Sequence, residues 1–288
     1  MIGSISSVNV FDNLSKEWGS ASFSNEELKS IVINLENDIA DGTWLRKNYA
    51  YTDIQVMPAL ITQAKTKYPG INLNFVTSPQ DLPVEIKNAI EQGIESSRFI
   101  VNMGEGGIHF CVIDHKHING KTSLILFEPT SFNGMGPAIL ALRTKMAIER
   151  DPLPDCHFSM VEMDIQRSSS ECGVFSLALA KKLHIEKDKL QKLHTDNING
   201  TLCDSRRHLP HDKLDAYLPV TFYKHTQGER RLNEYLNMNP QEMSTVVNKK
   251  NETILHRFNN NLAVTDGKEL SISAHKKRIT EYKALLKP

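Results

Sequence analysis

The chain has 288 residues, 40% of them hydrophobic and 24% charged, and a formal net charge of zero. This is the composition of a globular protein with a buried core; no stretch approaches the roughly 18 apolar residues of a membrane helix, so no membrane span is expected, and the balanced charge points to no nucleic-acid partner. The charge is unevenly placed, with 7 Lys and Arg against 12 Asp and Glu in residues 1–97 and 12 against 7 in residues 216–288, so the basic tail suits an anionic partner or contact with the acidic end. Cys111, Cys156, Cys172 and Cys203 lie far apart with no Cys-x-x-Cys pair, which predicts free thiols of a reducing compartment and no metal site.

In chain order, the polar, serine-rich start lacks the basic end and apolar centre of a cleaved leader and is expected to be disordered over residues 1–23. Ser24-Asn25-Glu26-Glu27 is a capping-box pattern, followed at helical spacing by Leu28, Ile31, Val32, Leu35 and Ile39. A second helical pattern, Ile54 to Ala64, contains Pro58 near its start and stops at Tyr68-Pro69-Gly70. Ile71 to Val76 alternates as a strand, and Ser78-Pro79 opens a helix through Leu82, Ile86, Ala89 and Ile90. Strands are predicted over residues 98–103, 107–114 and 122–128, the last two joined through the hairpin dipeptide Asn119-Gly120. Alternation puts His109, Cys111 and Ile113 on one face and Ile108, Phe110 and Val112 on the other. A helix from Gly136-Pro137 is expected to pack through Ala138, Leu142, Met146 and Ile148; a strand over 158–165 and a helix over 171–184 follow. Short helices are expected over 229–236 and 274–286, and helices with an antiparallel or mixed sheet make the fold class α+β.

The chemistry centres on Asp164-Ile165-Gln166-Arg167-Ser168-Ser169-Ser170-Glu171-Cys172-Gly173. It places a thiol at a predicted helix N-terminus, where unpaired amides and the positive dipole end favour an anionic sulfur. A cysteine nucleophile also needs a base, an orienting group for that base and an oxyanion donor. His109, on a strand after the glycine-rich loop 103–107, is the candidate base; Glu128, at the end of the next strand, is the orienter; Gln166, six residues before Cys172, is the oxyanion donor. With residues 117–120 as the turn, Glu128 need not lie directly opposite His109, so their contact is an expectation.

Ile108-His109, Leu126-Phe127-Glu128-Pro129, Leu153-Pro154-Asp155-Cys156, the 164–173 stretch, Phe222-Tyr223-Lys224-His225-Thr226-Gln227 and His275-Lys276-Lys277-Arg278-Ile279 closely resemble the YopJ family of bacterial type III secreted effectors. The resemblance implies a catalytic core like that of the Ulp1 and adenovirus cysteine peptidases over residues 24–215, a basic regulatory region packed on it over 216–288, and a secretion segment over 1–23. It implies His109, Glu128 and Cys172 as the triad with Gln166 at the oxyanion site. It also implies transfer of acetyl from acetyl-CoA to Ser or Thr, and sometimes Lys, of host MAP kinase kinases and IκB kinase in the host cytoplasm, which blocks their phosphorylation. Inositol hexakisphosphate is the implied activator. By charge and motif, Arg143, Lys181, Lys182, Lys224, His225, Lys276, Lys277 and Arg278 are the candidates for gripping it or CoA. The triad alone leaves a peptidase of ubiquitin-like conjugates open, because a peptidase also passes through an acyl-enzyme.

Overall fold

The structure, a computed structural model, describes residues 23–105, 107–204 and 208–286. The expected disordered segment lies outside the described residues except for Phe23, whose side chain packs against the core. Ser24 caps the first helix, α1 (Asn25–Ala40), through the expected capping box: its hydroxyl accepts from the Glu27 amide at 3.2 Å, and the Glu27 carboxylate accepts from the Ser24 amide at 2.8 Å. The next helix, α2 (Ala50–Lys67), continues through Pro58, since burial of Ile54, Met57, Leu60, Ile61 and Ala64 outweighs the lost backbone bond.

The strands are β1 (Leu73–Val76), β2 (Ser96–Asn102), β3 (Phe110–Ile118), β4 (Lys121–Glu128), β5 (Cys156–Glu162) and β6 (His208–Leu209), and they lie side by side in chain order in one sheet. The sheet is mixed: β2, β3 and β4 pair antiparallel, while β1 with β2, β4 with β5 and β5 with β6 pair parallel. The β3–β4 turn is the two-residue Asn119-Gly120, with φ of 52° and 80°, as a type I′ hairpin requires. Helices α3 (Leu82–Glu91) and α4 (Met135–Arg150) cover one face; α2 and α5 (Cys172–Ile185) cover the other. Alternation along β3 divides as expected, with Phe110 and Val112 in the α5-side core and Cys111 and Ile113 in the α4-side core.

Several elements differ from expectation, and β3 starts at Phe110, so His109 lies just before the strand expected to carry it. Helix α4 buries Leu140, Ala141, Thr144, Ala147 and Ile148 and leaves Leu142 and Met146 more than half exposed. Apolar residues surround this helix, so spacing alone does not choose a face, and the small residues allow the closest approach to the layer below. A second hairpin, β7 (Leu262–Thr265) with β8 (Lys268–Ser271), was not anticipated.

Between these elements lie α6 (Gln191–Ile198), α7 (His211–Leu214), α8 (Glu229–Met238) and α9 (Ile254–Asn259), and the last helix is α10 (Ser273–Lys283). Leu232, Tyr235, Leu236, Ile279 and Tyr282 of the C-terminal segment share one apolar core with α1, α2 and α5. Almost every side of α5 is buried, which a helix tolerates only when it is apolar nearly all round. Among the described residues no helix is long and apolar enough to cross a membrane.

Candidate active site

The nucleophile loop is pinned to the end of β4 by backbone bonds. Beyond β5, the amides of Met163 and Asp164 donate to the carbonyls of Glu128 and Thr130 at 2.9 and 3.0 Å, and those of Ile165 and Gln166 donate to Pro129 at 2.9 and 3.2 Å. This lacing carries the chain across the sheet end, from the strand that follows Glu128 in the sheet to the first residue of α5, which is Cys172. The N-cap residue Glu171 makes no side-chain bond to the first turn, so the amides that open α5 have no intrahelical or capping acceptor there.

Cys172 meets His109 and Glu128 at this edge. The register pairs Val112 with Phe127, so Glu128 falls opposite Cys111, and His109 reaches it diagonally on the same face. The His109 Nε2 to Glu128 Oε2 distance is 2.8 Å, and Glu128 is fully buried. The other carboxylate oxygen accepts from the Thr130 amide at 2.9 Å and hydroxyl at 2.7 Å. With Nε2 committed to Glu128, Nδ1 is the ring nitrogen left for the Cys172 sulfur, whose nearness also raises the His109 pKa. Burial works to lower the His109 pKa, but the Glu128 charge and the hydrogen bonds with Cys172 and Glu128 overcome it and push His109 up to about 10. A charged imidazolium therefore faces the sulfur at neutral pH.

Gln166 is buried beside the loop, with its side-chain amide donating to the Ser168 carbonyl at 2.6 Å and its carbonyl oxygen unpartnered. One amide proton is thus taken and the other is free for an oxyanion. Gln227 was quoted in the sequence without a role; in the fold it is fully buried and orders the loop. Its carbonyl oxygen accepts from the amides of Arg167 and Ser168, at 2.5 and 2.9 Å, and its nitrogen donates to the Glu171 carboxylate. No local pattern marks such a residue, because its partners are 56 to 60 positions away.

The basic candidates separate into two sets. Lys181, Lys182, Lys224, His225 and Lys277 line one cavity of about 130 Å³ between α5, residues 221–225 and α10, together with Tyr68 and Phe175. Arg257, not anticipated, adds its charge there: burial first, then Arg257, Lys182 and Lys277, lowers Lys224 to about 8. His225 is pushed down by burial and by Arg257, Lys277 and Lys224. Glu281 offsets Lys181 at 2.8 Å and also pairs with Lys277, while Glu186 lies 3.7 Å from Lys182. The lysines and Arg257 that depress one another in this half-enclosed cavity have the chemistry to receive a dense anion, while His225, pushed down, adds an uncharged ring to its wall.

The other three candidates are elsewhere. Arg143 donates to the carbonyls of Met103 and Glu105 and so braces the loop before His109. Lys276 donates to Asn261. Arg278 is fully buried and bidentate on Asp53 at 3.0 Å, with its charge already balanced by a carboxylate and no surface for a phosphate to reach. Among the described residues no cluster of His, Cys, Asp and Glu is suited to a metal ion.

The family profile described as YopJ serine/threonine acetyltransferase matches residues 28–284. The serine/threonine-protein acetyltransferase YopJ of Yersinia pestis is 70% identical over 287 residues, covering the whole of both chains. The solved structure of AvrA delL154 with IP6 and CoA has 57% identity and a TM-score of 0.89, covering 93% of this chain and 100% of that one. HopZ1a in complex with IP6 and CoA, at 18% identity, shares the fold at a TM-score of 0.77 over 96% of this chain and 95% of that one. The chain therefore belongs to the YopJ family of serine/threonine acetyltransferases.

Proposed function

We propose that this acetyltransferase works by a ping-pong route in which Cys172 carries the acetyl group from acetyl-CoA to Ser or Thr, and in some substrates Lys, of host MAP kinase kinases and IκB kinase. The observation that carries the reading is the chain of contacts Glu128–His109–Cys172 at the open N-terminus of α5. The Cys172 sulfur attacks the thioester carbonyl as its thiolate and a carbon–sulfur bond forms. The oxyanion is received by the first-turn amides of α5 and the free amide proton of Gln166. On collapse the bond to CoA breaks, and the His109 imidazolium gives its proton to the departing thiolate. The neutral imidazole then takes the acceptor hydroxyl proton as that oxygen attacks acetyl-Cys172. The sulfur leaves with its electron pair, and the starting charges are restored.

The cavity lined by Lys181, Lys182, Lys224, His225 and Lys277 is the proposed seat of inositol hexakisphosphate as activator. Its mutually depressed cations support that reading, as does IP6 in the AvrA structure. Residues 216–288 act as the regulatory region on a catalytic core over 24–215. The protein reaches host cytoplasm through type III secretion, a reading supported by its likeness to YopJ.

Incubation with labelled acetyl-CoA, inositol hexakisphosphate and a MAP kinase kinase tests the proposal. Label is expected on Cys172 and then on activation-loop hydroxyls, and Cys172→Ala abolishes both. Cleavage of a ubiquitin-like fusion with no label on Cys172 would overturn it in favour of a peptidase.

A further inference from the structure

Glu171 stands at the N-cap of α5, directly before the sulfur, and it does not cap. An acidic side chain in that place ordinarily turns onto the first-turn amides, where the helix dipole also draws it. Here those amides lie open because the carboxylate is held elsewhere. One oxygen accepts from Ser168 Oγ at 2.7 Å and from Gln227. The other lies 3.4 Å from His275 Nδ1 and 3.7 Å from Arg278 Nη1, and all three of these atoms are buried with no closer hydrogen-bond partner. Burial alone would raise the Glu171 pKa, but His275, Arg278 and Ser168 hold its carboxyl below the usual range, so it sits there as an anion.

Arg278 is the hub of this arrangement. Fully buried in α10, it clasps Asp53 of α2 and donates to the Ser170 carbonyl at 2.5 Å. Tyr282, one turn further along α10, donates to the same aspartate. Asp53 can come this close to α5 only because residue 173 is glycine: a Cβ there would lie 2.7 Å from the Asp53 Oδ2. Helices α2 and α10 thus meet on the residues that flank the sulfur.

We propose that Arg278 is a positioning residue for acetyl transfer, holding the Glu171 carboxylate off the N-terminus of α5 so that the first-turn amides stay open to the oxyanion and no second anion crowds Cys172. The inference rests on Cys172 as the acetyl carrier. Without the Arg278 charge, the bonds from Ser168 and Gln227 no longer outweigh the pull of the helix start, and Glu171 swings onto it, occupies the oxyanion donors and crowds the Cys172 sulfur.

The test compares wild type, Arg278→Gln and Arg278→Gln/Glu171→Gln in the full chain. For Arg278→Gln, kcat is expected to fall about 10- to 100-fold, the effect of one partly buried charge on the transition state. KM for acetyl-CoA and affinity for inositol hexakisphosphate stay within about threefold, and iodoacetamide modifies Cys172 more slowly at pH 7. Adding Glu171→Gln restores most of the loss, because the side chain that replaces Glu171 carries no charge to compete; a merely structural arginine gains nothing from a second substitution. An active Arg278→Gln, or a double variant no faster than the single, overturns the proposal. If Arg278→Gln does not fold, Arg278→Lys is judged by the same two criteria, since it keeps a charge on Asp53 but has no second arm for Glu171. Absence of acetyl-Cys172 in wild type by intact mass would instead refute the carrier reading, and the alkylation comparison still decides the role of Arg278.

Discussion

Replacing Glu128 with glutamine tests the electrostatics of the site most directly. Glutamine keeps the shape, and its carbonyl oxygen can still accept from the Thr130 amide and hydroxyl, which now lie 2.9 and 2.7 Å from Glu128. Its amide nitrogen, however, turns a donor toward His109 Nε2, so that nitrogen must become an acceptor and the single ring proton moves to Nδ1, facing the sulfur. The resting site then has a neutral imidazole with no lone pair for the incoming hydroxyl. Burial works against the charge on His109, and the Glu128 charge is the largest influence that overcomes it and raises the ring to about 10; without Glu128 only the interaction with Cys172 is left to oppose burial. His109 should therefore fall well below 10, each unit of the drop being worth about 1.4 kcal/mol of lost preference for the imidazolium. An orienting carboxylate lost in this way costs about 10³- to 10⁴-fold in turnover in a comparable triad. Initial rates with saturating acetyl-CoA measure the loss, and NMR of the ring nitrogens locates the His109 titration. There is also a linked signature in stability. Because His109 is raised in the folded state, its contribution is complete below about pH 6.5 and is lost as pH rises through about 10. Wild type should lose stability across that window relative to Glu128→Gln when urea midpoints are compared pH by pH. A glutamine variant whose His109 still titrates near 10, or whose turnover stays within tenfold of wild type, would refute this account.

Gly173→Ala drives a methyl to within 2.7 to 3.0 Å of the Asp53 side chain, which Arg278 and Tyr282 prevent from yielding; a loss of about 1–3 kcal/mol in urea unfolding and slower acetyl transfer are expected. Gly120→Ala strains a residue at φ 80° with open space around it, in a hairpin remote from the sulfur. Its melting temperature should fall by the equivalent of about 1 kcal/mol with acetyl transfer unchanged. Lys224→Gln and Lys277→Gln should each weaken inositol hexakisphosphate binding about tenfold, and less so in high salt, by calorimetry. Since burial and then neighbouring cations hold Lys224 down at about 8, an anion that offsets the cations raises it, and binding near pH 8 should take up protons, seen as a binding enthalpy that changes with the ionisation heat of the buffer.

Much of the fold was legible because it is written in local rules. The Ser24 capping box, the Asn119-Gly120 hairpin and the alternation along β3 each involve residues a few positions apart, and each formed as expected. The buried face of α4 was misread because a helix apolar on several sides carries no directional signal, and neighbouring layers choose its rotation. In the site, the residue types and their order pointed to His109, Glu128 and Cys172. The strand register, which the turn alone did not settle, decided that His109 reaches Glu128 diagonally.

The sequence by itself determined most of the helices and strands, a thiol at a helix start and a surplus of cations in the last quarter. Only the tertiary structure decided what each cation does. Lys181, Lys182, Lys224, His225 and Lys277 converge on one cavity, whereas Arg278, adjacent in sequence to Lys277, turns inward to Asp53 and the nucleophile loop. Successive residues on a helix point about 100° apart, so two neighbouring charges can serve a solvent-facing receptor and a buried ion pair. Which of them does which depends on carboxylates more than 100 positions away, and no local pattern records those.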